Sequence, residues 1–242
     1  MKKLGINTLV YKQELNKGIL QSKLLPIIKK YTDLVEIRRE YISSPQEFTD
    51  LRDIARQENI QLYYSVPDKI TINHQLNPKF SQYLQEAHNM LCTHIKFNIG
   101  DLPTCSQDTL LQIDKLSEQY QLSITVENDQ TLENGTLNYV FNTLNHLQKY
   151  NSSIGYTFDI GNWCWQKENP QKAFTQLQQF INIIHLKTVN NLLIPYTTFL
   201  HKGCLNWQDM LLSTNDNIPI FLEYPIEQCN LAQEITTVTK YL

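Results

Sequence analysis

The stretch Gly155-Tyr156-Thr157-Phe158-Asp159-Ile160-Gly161-Asn162-Trp163-Cys164-Trp165 decides how the rest of the chain is read. An apolar, β-prone run ends abruptly in the acid Asp159. Gly161 follows two residues later, where it lets the chain turn, and Trp163 and Trp165 close the segment. A strand that delivers a carboxylate at its carboxyl end and then turns sharply puts that carboxylate on the rim of its sheet. Whether other strands bring polar ends to the same rim is the question on which function depends.

Working outward, seven further runs read as strands: residues 4–8, 34–38, 61–66 (stopped by Pro67), 94–100, 122–127, 181–186 and 218–223. Helical patterns lie between them. Residues 19–30 form one, and Ser43-Ser44-Pro45 opens another, with Phe48, Leu51, Ile54 and Ala55 at helical spacing. Residues 78–91, 108–119, 136–149, 170–180 and 231–242 supply the rest, and residues 68–77 read as irregular. Eight strands alternating with helices at roughly 30 residues per unit fit a (β/α)8 barrel, which takes about 250 residues. No Pro/Gly/Ser-rich linker divides the chain, so residues 1–242 are expected to form a single TIM-barrel domain.

With 242 residues, 41% of them hydrophobic, the chain can bury a large core. A net charge of −3 speaks against a nucleic-acid partner, and the only arginines are Arg38, Arg39, Arg52 and Arg56. The five cysteines are scattered without CxxC spacing, which is the pattern of reduced thiols. No apolar run approaches the roughly 18 residues of a membrane span, and the start carries no long apolar stretch typical of a signal peptide. A cytoplasmic location without a membrane partner is the resulting expectation, and assembly into a homo-oligomer stays open.

Strands five to eight end in Glu127, Asp159, His185 and Glu223. In consecutive staves of one barrel all four project into the carboxyl-end mouth. Each alone has an ordinary explanation: a satisfied core histidine, a helix cap or a rim salt bridge. Together they form a mixed oxygen and nitrogen set suited to one divalent ion such as Mn, Mg, Co or Zn. Burying three acids side by side without a cation is costly.

The segments Val126-Glu127-Asn128-Asp129-Gln130, Phe158-Asp159-Ile160-Gly161-Asn162-Trp163, Ile184-His185-Leu186-Lys187 and Leu222-Glu223-Tyr224-Pro225 resemble the sugar phosphate isomerase/epimerase family of the xylose isomerase-like barrels. Gly203-Cys204-Leu205-Asn206-Trp207 is similar to that family's glycine-and-tryptophan loop, and Leu34-Val35-Glu36-Ile37 to its second strand. The resemblance spans the chain. It implies an enzyme with one divalent metal on Glu127, Asp159, His185 and Glu223, acting on a sugar or sugar phosphate. Glu127 and Glu223 would also be the acid/base pair that moves protons on opposite faces of a metal-stabilised cis-enediolate.

The same resemblance makes Glu133 a substrate-binding acid, with a solvated loop acid as the ordinary reading. Asn162 stands where many relatives carry a histidine and is a substrate-binding candidate that can hydrogen-bond a sugar hydroxyl but cannot titrate, and Asn190 and Asn191 lie where the epimerases carry an arginine. Both departures loosen the tie to a particular ketohexose. Arg38 shares strand parity with Glu36 and is a candidate for a substrate anion, unless it pairs with Glu36 or Glu40. Lys187 shares parity with His185 and is a candidate for an anionic substrate or enediolate. Trp163, with Trp165 and Trp207, is a candidate to stack on a sugar, although large aromatics more often pack.

Three other readings use the same barrel. A metal-dependent lyase dehydrating a polyol ketone shares the first proton abstraction. An abasic-site endonuclease needs extra histidines, yet strand three ends Tyr64-Ser65-Val66, His94 lies at the start of strand four, and Asn162 replaces another. A non-catalytic sugar-binding barrel is the third, against which the complete ligand set argues.

Overall fold

The computed structural model describes residues 2–242. Eight parallel strands close into one barrel: β1 Leu4–Asn7, β2 Leu34–Arg38, β3 Gln61–Lys69, β4 His94–Asn98, β5 Ser123–Glu127, β6 Gly155–Asp159, β7 Ile181–Leu186 and β8 Ile220–Leu222. Each pairs with its sequence neighbours, and β1 closes on β8 through Leu4↔Ile220, Gly5↔Phe221 and Ile6↔Leu222. Eight helices follow the strands on the outside: α1 Gln21–Ile28, α2 Pro45–Glu58, α3 Phe80–Asn89, α4 Gln107–Tyr120, α5 Leu137–Lys149, α6 Pro170–Leu177, α7 Trp207–Ser213 and α8 Gln228–Thr239, and a short helical segment, Lys12–Asn16, lies in the connection from β1 to α1. Among the described residues, no helix is long and apolar enough to cross a membrane.

Alternation along each strand divides two environments. Outward residues such as Val35, Ile37, Val126, Phe158, Ile184 and Leu222 join the helices in the main apolar core. Inward residues line the barrel lumen, where Leu34, Ile183 and Phe221 form a small separate cluster with Tyr63 packed on it. Gly5 makes room for that cluster: a Cβ there would lie 2.4 Å from Phe221 Cε1. His94 stacks on Tyr63 with ring centroids 4.9 Å apart. It therefore sits at the amino-terminal end of the lumen.

The structure differs from the sequence reading where strands pass irregularities. β3 continues past Pro67 to Lys69, because its register against β4 shifts between Ser65 and Lys69 and the missing proline N–H is not needed there. Residues 68–77, expected to be irregular, include a short hairpin of Thr71–Ile72 with Gln75–Leu76. Asn73 and His74 turn it at φ 52° and 62°. β4 stops at Asn98, before Gly100. At φ +64°, a Gly100 Cβ would lie 2.1 Å from the Thr71 carbonyl oxygen. A second hairpin, Thr188–Val189 with Thr197–Thr198, follows β7 and was not legible in the sequence.

Candidate metal centre and active site

Glu127 and Asp159 end β5 and β6, His185 lies one residue before the end of β7, and Glu223 directly follows β8. All four are buried, and one ligand-type atom from each lies within 4.8 Å of the others. The strand register makes this convergence: Asp159 pairs with His185 across β6 and β7, and His185 with Phe221, two residues before Glu223.

Each side chain has an inward-facing atom and another that is held from outside. Glu127 Oε1 lies 2.7 Å from His185 Nδ1, while Oε2 accepts from Lys96 Nζ at 2.5 Å. Glu223 Oε2 lies 3.1 Å from His185 Nδ1, while Oε1 accepts from Arg38 Nη1 at 2.7 Å and from Asn7 Nδ2 at 3.4 Å. Asp159 Oδ1 accepts the backbone N–H groups of Gly161 and Asn162, both at 2.9 Å. Its Oδ2 has no aligned hydrogen bond, although Lys187 Nζ lies 2.6 Å away. His185 Nε2 points to Glu36 Oε2 at 3.1 Å, and Asn7 Nδ2 donates to that same oxygen.

This arrangement fits a divalent ion. Three carboxylate oxygens and one imidazole nitrogen converge, and the other end of every ligand is oriented by a partner, as metal ligands ordinarily are. Charge compensation by itself does not demand the ion, because Lys96, Arg38 and Lys187 each neutralise one of the three acids. Orientation carries the metal reading, not the cost of three buried acids foreseen from sequence.

The electrostatics follow from this pairing. Burial raises the Glu127 pKa, but Lys96 and His185 outweigh burial and Glu223 and bring it down to about 2. Burial opposes ionisation of Glu223 too, yet His185, Lys187 and Arg38 hold it well below the usual carboxylate range. Asp159 goes the other way: burial dominates and pushes it up to about 7 despite Lys187. Burial would lower His185, but Glu223, Glu36 and Glu127 hold it well above the ordinary imidazole value.

A cavity of about 510 Å³ opens above these residues, with Lys187 and Glu223 in its floor and Leu9, Lys12, Trp165 and Phe199 in its walls. A larger groove of about 780 Å³ runs along Cys164, Pro170, Cys204 and Met210 and contains none of the four ligand residues. Of the two, only the smaller cavity is lined by members of the buried charge cluster, Lys187 and Glu223.

The remaining sequence candidates separate. Lys187 and Arg38 belong to the site, Arg38 pairing with Glu40 and Glu223 and not with Glu36. Asn162 is spent on scaffolding: its Nδ2 donates to the Asn128 carbonyl at 2.8 Å and its Oδ1 accepts from Gln130 at 3.0 Å. Glu133 is exposed and pairs with Lys69 at 2.7 Å. Trp163 is fully buried with its ring tilted on Phe158, and Trp165 faces the cavity in its place. Gly161 has ordinary right-handed backbone angles (φ −80°, ψ −31°), so turning is not what calls for glycine. A Cβ there would lie 2.6 Å from Lys187 Cγ, and the lysine stem needs the space.

Sequence reasoning missed Lys96, Asn7 and Asn128. Parity with Glu127 across β4 and β5, where Lys96 pairs with Thr125, was the available signal for Lys96. Asn128 clamps β5 to β6: its Oδ1 accepts from Asp159 N at 3.0 Å, and its Nδ2 donates to the Asp159 carbonyl at 3.0 Å.

No protein-family model matches the chain, and no curated protein matches it. Solved structures do. The chain is similar to a D-tagatose 3-epimerase-like protein, with TM-score 0.74, 16% identity, and coverage of 99% of this chain and 96% of that one. It is similar to a probable 3-DHS dehydratase, AsbF of Bacillus anthracis, with TM-score 0.68, 16% identity and 99% of each chain covered. A xylose isomerase-like TIM barrel protein from Mycobacterium smegmatis in complex with magnesium matches with TM-score 0.69 and 11% identity, over 100% of this chain and 98% of that one. At such identities the likeness speaks to architecture, and the chain has the fold of the xylose isomerase-like TIM barrels.

Proposed function

We propose that the protein is a divalent-metal-dependent isomerase or epimerase of a sugar or sugar phosphate. One observation carries this reading: Glu127, Asp159, His185 and Glu223 each turn a single donor atom toward a common point, their opposite atoms being held from behind. Those four residues would hold Mn, Mg, Co or Zn. When bound, such an ion polarises the oxygens of an α-hydroxy carbonyl compound and acidifies the C–H bond next to the carbonyl.

The chain's own residues supply the rest. Glu127 and Glu223 are kept ionised by Lys96 on one side and by His185, Lys187 and Arg38 on the other. Either can take a proton from carbon, and the opposite one can return it, which inverts or relocates the stereocentre. Asn7 and Arg38 orient Glu223, Lys96 orients Glu127, and Glu36 orients the His185 ring. Arg38 and Lys187 also favour an anionic substrate or enediolate, and Trp165 and Phe199 offer apolar walls to a sugar carbon face.

The test is a screen of ketoses, aldoses and their phosphates with Mn²⁺ or Mg²⁺ in deuterated water. Mass-conserving conversion with deuterium at a single carbon is the expected outcome. A product lighter by one water indicates a lyase instead, and cleavage of abasic-site DNA a nuclease. No turnover in a metal-loaded protein that binds sugar indicates a binding barrel.

A further inference from the structure

Three cations meet the three acids of the metal centre, but they meet different oxygens. Lys96 and Arg38 approach from behind, on Glu127 Oε2 and Glu223 Oε1, and leave the converging oxygens free. Lys187 does the opposite. Its Nζ lies 2.6 Å from Asp159 Oδ2 and 3.7 Å from Glu223 Oε2, the two oxygens that face the common point. Asp159 Oδ1 is saturated by the Gly161 and Asn162 N–H groups, so Oδ2 is the oxygen Asp159 has left to give. An ammonium at that place and a divalent ion bound by the four ligands draw on the same lone pairs, and their positive charges repel at short range.

We propose that Lys187 is a displaceable counter-ion: its ammonium and the divalent ion compete for Asp159 Oδ2 and Glu223 Oε2, and metal entry turns the ammonium toward the substrate cavity. This rests on the metal reading above. The fold leaves Lys187 a way out that it denies Lys96. Lys187 lines the 510 Å³ cavity, whereas Lys96 is 2% exposed inside the lumen. Among the described residues lining that cavity, Glu223 is the only acid. A released ammonium would therefore be available to an electron-rich oxygen of the substrate. The lysine stem crosses Gly161 so closely that a Cβ there would meet its Cγ at 2.6 Å and its Cε at 3.2 Å. Glycine at 161 thus sets where Lys187 lies.

Mn²⁺ binding, read from the paramagnetic signal of free Mn²⁺, and thermal melting of metal-stripped protein test this without a substrate. Lys187→Met is expected to bind Mn²⁺ more tightly, within the roughly 10- to 100-fold range by which neighbours of metal ligands alter affinity. It should also melt lower than wild type when stripped and gain more from added Mn²⁺. Gly161→Ala, which pushes the lysine stem aside, should tighten Mn²⁺ in the same direction. Lys96→Met should not. In wild type, reductive methylation of Lys187 should increase when Mn²⁺ is added, a readout that holds even where a variant fails to fold. Equal or weaker binding by Lys187→Met, or methylation indifferent to Mn²⁺, overturns the proposal while the metal centre stands. No stoichiometric Mn²⁺ in either wild type or variant overturns both.

Discussion

Two residues apart on the same strands, the barrel interior changes from Thr125, Thr157, Ile183 and Phe221 to Glu127, Asp159, His185 and Glu223. The amino-terminal half is filled by neutral groups. Leu34, Ile183, Phe221 and Tyr63 pack together, and Thr125 and Thr157 share a 2.6 Å hydrogen bond. The carboxyl-terminal half holds Glu36, Glu127, Asp159 and Glu223 against Lys96, Lys187, Arg38 and His185. A barrel lumen is normally a packed core of branched side chains. Here only half of it is. Apolar filling is kept below, where it stabilises, while above it is given up for a lattice of charges that is stable only when each member keeps its partner.

The comparison breaks most severely at the charged end. Glu127→Gln and Glu223→Gln, assayed with metal content measured alongside, are each expected to lower turnover by about 10²- to 10⁴-fold. Full turnover in a metal-loaded variant would remove the proton-transfer role, and chelation with EDTA should abolish activity in the wild type. Removing the cation behind Glu127 comes next. Lys96→Met leaves a buried carboxylate without its partner and should cost about 3–5 kcal/mol in urea unfolding. A cost below ~1 kcal/mol would mean that the lattice does not depend on one-to-one pairing.

The neutral end has its own weak point in His94, whose two ring nitrogens have no hydrogen-bond partner. Burial, then His185 and Lys96, lower its pKa from 6.5 to about 3. Below pH 6.5 the unfolded chain takes up a proton that the folded chain refuses until pH is near 3. Stability is therefore complete above 6.5 and is lost as pH falls through that window, by up to ~5 kcal/mol. In His94→Leu that component should vanish, so the difference between the two stability curves from pH 7 to pH 4 isolates it. Parallel curves would show that the imidazole is hydrated in the folded protein. The smallest effect is steric. Gly5→Ala drives a methyl to within 2.4 Å of Phe221 Cε1 and should cost ~1–3 kcal/mol, seen as a lower melting temperature with metal binding unchanged.

Much of the barrel was legible because its signals are local. Each strand shows its period within five or six residues, and seven of the eight outer helices show an apolar stripe; α7, Trp207–Ser213, is only two turns long and was not legible as a helix. The ends at Glu127, Asp159, His185 and Glu223 could be compared by position alone. Pro67 misled because a proline reads as a stop, whereas a register shift let β3 run through it. Trp163 and Trp165 could not be told apart as wall or core from their type, since that depends on Phe158 behind one and the open cavity beside the other.

By itself the sequence determined the barrel, its order of strands and the set of four converging side chains, because alternation and βα spacing are short-range properties of a chain. Only the tertiary structure decided which oxygen of each carboxylate faces inward. It also decided that Lys96 and Arg38 stand behind the acids while Lys187 stands among them, and that Gly161 is glycine for the sake of Lys187. Those facts depend on contacts such as Arg38 to Glu223, 185 positions apart along the chain. No local pattern encodes such a distance; it exists only once the barrel has closed.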